Sequence, residues 1–184
     1  MPLLLVISGH PASGKTTLAQ RLAKDLGDWP IVSRDALKET LFDSLGWHDR
    51  AWSQKLGQAS WELFPWAIEL ILKTGHSVIA ESNFSGPRAG AALLQSADRY
   101  GYGAMEIHCV APPNILIERF SRRVAAGLRH PGHRDEENQQ EFIKRFQEPA
   151  GQSGVSRTPI ILSTVNLSDG IYQEIVKQCL AAAQ

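Results

Sequence analysis

The sequence predicts an α/β fold in which helices cover both faces of a five-stranded parallel sheet. Five short apolar segments alternate along the chain with segments of helical periodicity, and a glycine-rich loop joins the first apolar segment to the first helix. Parallel strands need long crossover connections, usually helical, and they are buried on both faces. This alternation therefore favours a three-layer arrangement with the sheet in the middle.

The predicted strands are continuous apolar runs, as expected for strands buried on both faces. The first follows the N-terminus directly. The third begins after a Thr-Gly helix stop at 74–75, and the fourth follows Gly101 and Gly103. The five strands cover residues 3–8, 30–33, 77–80, 104–110 and 159–163.

The predicted helices repeat apolar residues at spacings of three and four, which places them on one face. In the first helix, Leu18, Leu22 and Leu26 follow this spacing, and the fifth helix opens at the Pro-Pro pair 112–113. The seven helices cover residues 14–26, 35–45, 50–73, 87–100, 113–126, 138–148 and 168–182.

Length and composition narrow the class of protein. A chain of 184 residues predicts one domain over 1–184, and a net charge of zero gives no whole-molecule signal for nucleic acid or membrane binding. Cys109 and Cys179 lie in no metal or redox motif and are expected to be free core thiols. The N-terminal apolar run is too short for a signal peptide, and no segment reaches the ~20 apolar residues of a membrane span. We therefore expect a cytoplasmic protein.

The glycine-rich loop at 9–16 fits the pattern G-x-x-x-x-G-K-[ST] between a predicted strand and a predicted helix. Its glycines allow backbone angles that turn successive N–H groups toward a phosphate chain at the positive end of the helix. Lys15 is expected to reach the β- and γ-phosphates, and the Thr16 hydroxyl to bind Mg²⁺. The loop's expected nucleotide-binding residues are Gly9, Ala12, Ser13, Gly14, Lys15, Thr16 and Thr17.

Ligands of parallel α/β sheets bind at the carboxyl ends of the strands. Asp35 follows the second predicted strand, where its carboxylate can accept the proton of an attacking substrate hydroxyl. The alternative is that Asp35 only caps its helix, and both roles are compatible. Lys38, one helical turn further on, can hold an anionic substrate or the transferred phosphoryl group.

Three more candidates follow the third predicted strand. Glu81 is expected to take part in holding Mg²⁺, directly or through water, although aspartate is the more common residue at such a position. Asn83 and Arg88 lie on the same side and are candidates for substrate binding. The alternative for Arg88 is a solvated arginine at a helix start.

Five arginines fall within 119–134, in the second half of the fifth predicted helix and in the segment that follows it. This density predicts a lid over about 122–137 that closes on the phosphates, with Arg122 and Arg129 as catalytic residues and Arg123 at the nucleotide. The alternative is a solvated face paired with acidic residues at 135–137. His130 and His133 do not make a zinc site, because no third ligand is evident.

Four of the five tryptophans fall within 47–66. They are candidates for stacking on an aromatic substrate, but the helical spacing favours a core role. Trp52 shares a predicted face with Leu56, and Trp66 shares one with Leu63 and Leu70. We therefore expect these faces to be buried.

Taken in order, these motifs resemble the P-loop kinase group, and within it the small AAA family ATPase, zeta-toxin-like and polynucleotide-kinase-like proteins. The resemblance is carried by Gly-x-x-x-x-Gly-Lys-Thr-Thr, Ser-x-Asp-x-x-Lys, Glu-Ser-Asn-Phe and Glu-Arg-Phe-x-x-Arg-Arg. It implies a P-loop NTPase, nucleoside-kinase-like fold with a helical lid, ATP and Mg²⁺ as ligands, and Asp35 as general base. Acceptors in this group range from nucleic-acid 5′-hydroxyls to antibiotics and sugars.

The leading hypothesis is an enzyme that transfers the γ-phosphoryl group of Mg·ATP to a hydroxyl acceptor. A small molecule is the favoured acceptor, because no long basic groove is evident in the sequence. One alternative is a 5′-hydroxyl polynucleotide kinase. Another is an ATPase or nucleotide switch that acts through a protein partner, against which the pair Asp35 and Lys38 argues.

Overall fold

The computed structural model describes residues 1–84 and 87–184. Within them the chain forms five strands and seven α-helices in the predicted order. The strands are β1 Leu3–Gly9, β2 Ile31–Ser33, β3 Val78–Glu81, β4 Gly103–Val110 and β5 Ile160–Ser163. The helices are α1 Lys15–Asp25, α2 Arg34–Leu45, α3 Arg50–Leu72, α4 Pro87–Tyr100, α5 Pro113–Ala125, α6 Gln139–Arg145 and α7 Asp169–Ala182. A short 3₁₀ turn, Pro131–His133, lies between α5 and α6.

The five strands form one sheet in the order β2-β3-β1-β4-β5, and every neighbouring pair is parallel. This confirms the predicted α/β class. The chain passes from β3 to β4 across β1, so the carboxyl end of β1 lies where the strand order reverses. Ligands of such sheets bind beside this point. The register also sets Glu81 of β3 opposite Ile7 of β1 and Ser33 of β2.

Strand β1 explains why the sheet needs helices on both faces. Leu3, Leu5 and Ile7 pack in one apolar cluster with residues of α1 and α7. Leu4 and Val6 pack in a second cluster with residues of α3 and α4. Because all of these side chains are buried, β1 is a continuous apolar run rather than an alternating one.

The predicted buried face around Trp66 in α3 is wrong. Trp66 is 59% exposed and Leu70 is 44% exposed. The helix instead buries a neighbouring stripe that includes Leu56, Phe64 and Ile68. The apolar residues of α3 run around more than one side of the helix, so periodicity alone did not identify the side that meets the sheet.

A third apolar cluster joins α5 to α6 and supports the segment between them. Leu116, Phe120 and Phe146 are buried there, and Phe142 packs against them. This cluster thus packs together the two helices that flank the segment 126–138.

Two further expectations concern the cysteines and the membrane-spanning segments. Cys109 and Cys179 are buried and free. Within residues 1–84 and 87–184, no helix has the length and apolar character needed to cross a membrane.

Candidate functional site

The loop between β1 and α1 adopts a backbone that its sequence makes possible. Gly9 has φ 137° and Gly14 has φ 85°. A Cβ atom on Gly9 would lie 2.3 Å from the carbonyl oxygen of Cys109, so only glycine fits there. Ala12 also has a positive φ of 63°, which is uncommon for a residue with a side chain. The loop thus holds a specific curved conformation.

The N-terminus of α1 opens from this loop toward a cavity. Gly14 is the residue before the helix, and no described side chain accepts a capping hydrogen bond from the first backbone N–H groups of α1. The Ser13 hydroxyl is buried and has no hydrogen-bond partner among the described residues. A curved loop, a helix N-terminus and an unpaired donor fit a phosphate chain.

Lys15 is buried within the same loop. Its Nζ donates a 2.7 Å hydrogen bond to the carbonyl oxygen of His10. Burial lowers the pKa of Lys15, and the nearby carboxylates of Glu81 and Asp35 partly oppose this shift. The ammonium group is thus held inside the site, close to acidic groups on two other strand ends.

Glu81 ends β3 and is 5% exposed. Its Oε1 accepts a long, 3.5 Å contact from the Thr16 hydroxyl, and its Oε2 accepts a 2.8 Å hydrogen bond from Ser33. Mg²⁺ prefers oxygen ligands and is often held by one or two carboxylates, with water and phosphate oxygens completing its shell. Thr16 and Glu81 fit this requirement, and Ser33 orients the carboxylate.

The larger of two cavities in this region has a volume of about 570 Å³. The glycine-rich loop forms one wall and the arginine-rich part of α5 and the following segment forms the other. Its basic lining residues are Lys15, Arg21, Arg119, Arg122, Arg123 and Arg129. This cavity is suited to a polyanion.

Arg123 is an unusual member of this set. Its Nε and Nη2 are buried and have no hydrogen-bond partner among the described residues. Burial lowers the pKa of Arg123, and neighbouring Arg129 lowers it further. Buried donors are normally paired, so the guanidinium fits a site whose anionic ligand supplies the missing acceptors.

Asp35, at the start of α2, lies between two arginines. Its Oδ1 contacts Arg34 at 2.8 Å and its Oδ2 contacts Arg129 at 2.9 Å. Burial acts to raise the pKa of Asp35, but the two guanidinium groups outweigh it and hold the pKa well below its ordinary value. The carboxylate is therefore ionised at neutral pH, and its side chain remains 42% exposed toward the cavities.

A smaller cavity of about 260 Å³ adjoins the first one. Lys38 lines it and donates a 3.1 Å hydrogen bond to the Ser53 hydroxyl. Burial and the charge of Arg34 lower the pKa of Lys38 to about 8. The two cavities share four lining residues, Pro11, Asp35, Asn83 and Arg129. Asp35 thus stands where the two cavities meet.

Some of the expected lid arginines line the cavities, and others pair with acidic side chains of the lid. Arg122 and Arg123 line the larger cavity, whereas Arg129 lines both. Arg129 also approaches Asp135 at 3.4 Å, and Arg134 pairs with Glu137. The alternative interpretation, pairing with neighbouring acidic residues, therefore applies to Arg134 and to one side of Arg129.

The two histidines of the lid dock it onto α2 instead of forming part of a metal site. His130 Nε2 lies 3.1 Å from Asp43, and His133 Nε2 lies 2.9 Å from Glu39. Both rings pack on Phe42. No group of three or more histidine, cysteine or acidic residues in the described part of the chain is arranged to hold a metal ion.

Sequence reasoning missed several residues of this region. Arg34 holds both Asp35 and Asn83, and its guanidinium lies 4.8 Å from the Trp61 ring. Thr164 accepts a hydrogen bond from Arg119 at the larger cavity and directly follows β5. Thr164 could have been predicted, because ligands of parallel sheets bind at the carboxyl ends of the strands. Arg145, in the wall of the smaller cavity, has no such sequence signal.

Two other candidates stand apart from this description. The side chain of Arg88 lies outside the part of the chain that the structure describes. The tryptophans are within it, but none of the described residues that line the two cavities is a tryptophan. Trp61 packs against the α3–α4 core cluster, in agreement with the core interpretation.

The fold and the loop geometry define a P-loop NTPase with a kinase-like fold. A protein-family model described as an AAA domain matches residues 4–149. The chain belongs to this AAA domain family. A comparison with curated proteins finds no significant match.

Solved structures agree with this class. A candidate kinase from Chloroflexus aurantiacus is 32% identical, with a TM-score of 0.85 over 100% of this chain and 99% of that one. A gluconokinase from Sinorhizobium meliloti is 18% identical, with a TM-score of 0.58 over 99% and 91%. An APS kinase from Mycobacterium tuberculosis, solved with AMPPNP and APS, is 15% identical, with a TM-score of 0.59 over 96% of each chain. The last two similarities show the shared fold.

Proposed function

We propose that this protein is a phosphotransferase that moves the γ-phosphoryl group of Mg·ATP to a hydroxyl group of a small molecule. The observation that carries the proposal is the junction of two cavities at Asp35, Asn83 and Arg129. The larger cavity has the loop and the cations for a nucleoside triphosphate. The smaller cavity has room for a separate acceptor, which a simple ATPase does not require.

In the proposed reaction, the acceptor hydroxyl oxygen forms a bond to the γ-phosphorus while the bond from that phosphorus to the β,γ-bridging oxygen breaks. The hydroxyl proton passes to the Asp35 carboxylate, and ADP leaves with the bridging oxygen. Phosphoryl transfer passes through a loose transition state and depends mainly on positioning. Asp35 suits this role as an ionised group that orients the hydroxyl and accepts the proton late in the reaction.

The remaining residues stabilise charge and fix geometry. Lys15 and Arg123 are proposed to bind the β- and γ-phosphates, and Arg122 and Arg129 to offset charge on the transferred group. Mg²⁺, held by Thr16 and Glu81, would neutralise the phosphate charge. Arg34 donates hydrogen bonds to both Asp35 and Asn83 and so fixes the position of Asp35. Asp35 and Asn83 belong to the wall that both cavities share.

The test is ADP release from Mg·ATP across a panel of nucleosides, sugars, sugar acids, aminoglycosides and 5′-hydroxyl oligonucleotides. We expect one acceptor class to stimulate turnover in the wild type. Asp35→Asn should reduce the stimulated kcat by about 10²–10⁴-fold, because the proton acceptor is lost. Binding of Mg·ATP, measured by calorimetry, should persist and show that the variant is folded.

Asp98→Asn is the matched control, because Asp98 is exposed on α4 and lines neither cavity. Its kcat should equal that of the wild type. If only 5′-hydroxyl oligonucleotides stimulate turnover, the acceptor class is wrong. If no acceptor stimulates turnover and the basal rate survives Asp35→Asn, the phosphotransferase proposal fails in favour of an ATPase or switch.

A further inference from the structure

The smaller cavity contains more positive charge than its own acidic residues neutralise. Its ion pairs link Arg50 to Glu141 and the arginines Arg34 and Arg129 to the carboxylates of Asp35 and Asp135. Lys38 and Arg145 remain. Among the described residues, neither has a carboxylate within ion-pair distance, whereas His133, in the same wall, is paired with Glu39.

Lys38 is placed to meet a ligand rather than solvent. Its ammonium group lies 5.1 Å from the centre of the Phe42 ring and donates to Ser53, whose own hydroxyl is tied to the carbonyl oxygen of Gly132. An ammonium has three donors, and the structure pairs one of them with a protein oxygen. A partly buried cation with spare donors favours an anion.

The position of Lys38 also separates it from the phosphoryl group. Lys38 lines the smaller cavity but not the larger one, whereas Arg129 lines both. Lys38 follows Asp35 by three residues in α2, so the two side chains start about 5–6 Å apart on one face of the helix. A ligand whose hydroxyl contacts Asp35 can therefore place a second group at Lys38 only if a short carbon framework joins the two.

Resting on the proposed function, we infer that the acceptor is a small anionic hydroxyl compound, such as a sugar acid or a sugar phosphate. Its carboxylate or phosphate binds at Lys38, with Arg145 providing the second positive charge of the cavity. Its hydroxyl meets Asp35. A neutral polyol would leave both cations without a counter-charge in a partly enclosed space, which disfavours it.

The test uses matched compounds that differ in charge, namely ribose, ribonate and ribose 5-phosphate, and glucose, gluconate and glucose 6-phosphate. Binding is measured by calorimetry with ADP and Mg²⁺ present, and ADP release from Mg·ATP is followed separately. We expect an acid or a phosphate to bind about tenfold more tightly than its neutral counterpart, or better. The comparison of acid with phosphate identifies which anion the site takes.

Lys38→Gln should remove this preference, because it removes the positive charge that pairs with the anion. We expect the affinity for the anion to fall by about tenfold or more and the affinity for the neutral compound to stay unchanged. Lys38→Arg keeps the charge and should retain most of the affinity. Arg145→Gln should weaken anion binding in the same direction. Lys144→Gln and Arg157→Gln, which change exposed cations outside both cavities, should have no effect.

Binding of the carboxylate compound should also weaken as pH rises past about 8, where Lys38 loses its proton. The pKa of Lys38 reflects burial first and then the charges facing it, which are Arg34 and Asp35 from α2 and Arg129, His133 and Asp135 from the lid. Arg50 of α3 and Arg145 of α6 line the same cavity. In Lys38→Arg this pH dependence should disappear. The profile is a readout that a purely structural role for Lys38 would not produce.

The inference is overturned if neutral compounds bind as tightly as the anions, if none of the anions binds, or if Lys38→Gln weakens both members of a pair equally. It is separable from the proposed function. Lys38-dependent binding of an anion without phosphoryl transfer would preserve the anion site and reject the kinase. Phosphoryl transfer to neutral compounds alone would support the kinase and reject the anion site.

Discussion

At the scale of single residues, two charged side chains of the site differ in their partners. The Asp35 carboxylate is paired with oppositely charged groups, whereas the buried Arg123 guanidinium has donors without an acceptor among the described residues. Asp35 has two arginine partners and its pKa is held below the ordinary value by them. Arg123, in the last turn of α5, has buried donors with no partner in the described part of the chain. In the proposed function, Asp35 is already ionised and positioned in the free protein, whereas Arg123 obtains its hydrogen-bond acceptors from the bound nucleotide.

Arg123→Met should therefore stabilise the nucleotide-free protein and weaken nucleotide binding. Removing unpaired buried donors should raise the free energy of unfolding of the nucleotide-free protein by about 1–3 kcal/mol. The affinity for Mg·ATP should fall by about 10–100-fold, because charge-assisted hydrogen bonds to phosphate are lost. Urea unfolding without nucleotide and calorimetry with ATP measure the two quantities.

Arg157→Met is the control for this experiment, because Arg157 is exposed and lines neither cavity. It should change neither quantity beyond about 0.5 kcal/mol. A loss of stability in Arg123→Met with unchanged ATP affinity would show that Arg123 supports the fold and not the nucleotide.

At the scale of elements, the segment between α5 and α6 is held against α2 by close packing as well as by charge. The backbone of Gly132 lies against Phe42, which is fully buried, and the carbonyl oxygen of Gly132 accepts a hydrogen bond from Ser53. A Cβ atom at Gly132 would lie 2.6 Å from carbons of the Phe42 ring. The absence of a side chain at this position thus permits the docked lid.

Gly132→Ala should push the lid away from α2. We expect the free energy of unfolding to fall by about 1–3 kcal/mol, as in other overpacked cores. We also expect kcat for phosphoryl transfer to fall, because Arg129 reaches Asp35 from the same segment. Urea unfolding and steady-state kinetics provide the two measurements.

Gly170→Ala is the matched control. Gly170 lies in α7, and a Cβ atom there would meet nothing within 4 Å. Because Gly170 is the second residue of α7, alanine there should change the free energy of unfolding by no more than about 0.5 kcal/mol and leave kcat unchanged. Equal behaviour of Gly132→Ala and Gly170→Ala would contradict the proposed contact with Phe42.

At the scale of the whole molecule, a buried polar network connects the centre of the sheet to the chain that follows the lid. Glu106 of β4 is 1% exposed and accepts hydrogen bonds from the Ser8 hydroxyl at 2.6 Å and from the backbone N–H of Ser153 at 2.8 Å. The Ser153 hydroxyl donates to its other oxygen at 2.6 Å. Ser8 immediately precedes Gly9, so the network joins the base of the phosphate-binding loop to the segment around 153.

Glu106→Gln should destabilise the whole fold, because an amide NH₂ replaces one acceptor in a site where all three contacts are donors. We expect the free energy of unfolding to fall by about 1–3 kcal/mol, the cost of a buried donor left unpaired. Glu118→Gln changes an exposed glutamate on α5 and should stay within about 0.5 kcal/mol of the wild type. An unchanged stability in Glu106→Gln would mean that the network rearranges without cost.

The α/β class, the order of the elements and the phosphate-binding loop could be predicted from the sequence, because they depend on local periodicity and on glycine positions. The sequence also predicted that Asp35, Glu81 and Asn83 lie close together, since parallel strands bring their carboxyl ends together. These three residues line one cavity, and Lys38 lines the adjoining one. The sequence did not determine which side of α3 is buried, because apolar residues occur on more than one side of that helix.

The pairing of charged side chains could not be predicted from the sequence and became visible only in the folded chain. The pairing of Asp35 with Arg129 joins residues 94 positions apart, and the histidines of the lid reach α2 over similar separations. Arg145 and Lys38 line one cavity although they belong to different helices. Such contacts follow from how whole elements pack, and the spacing of residues along the chain does not encode them directly.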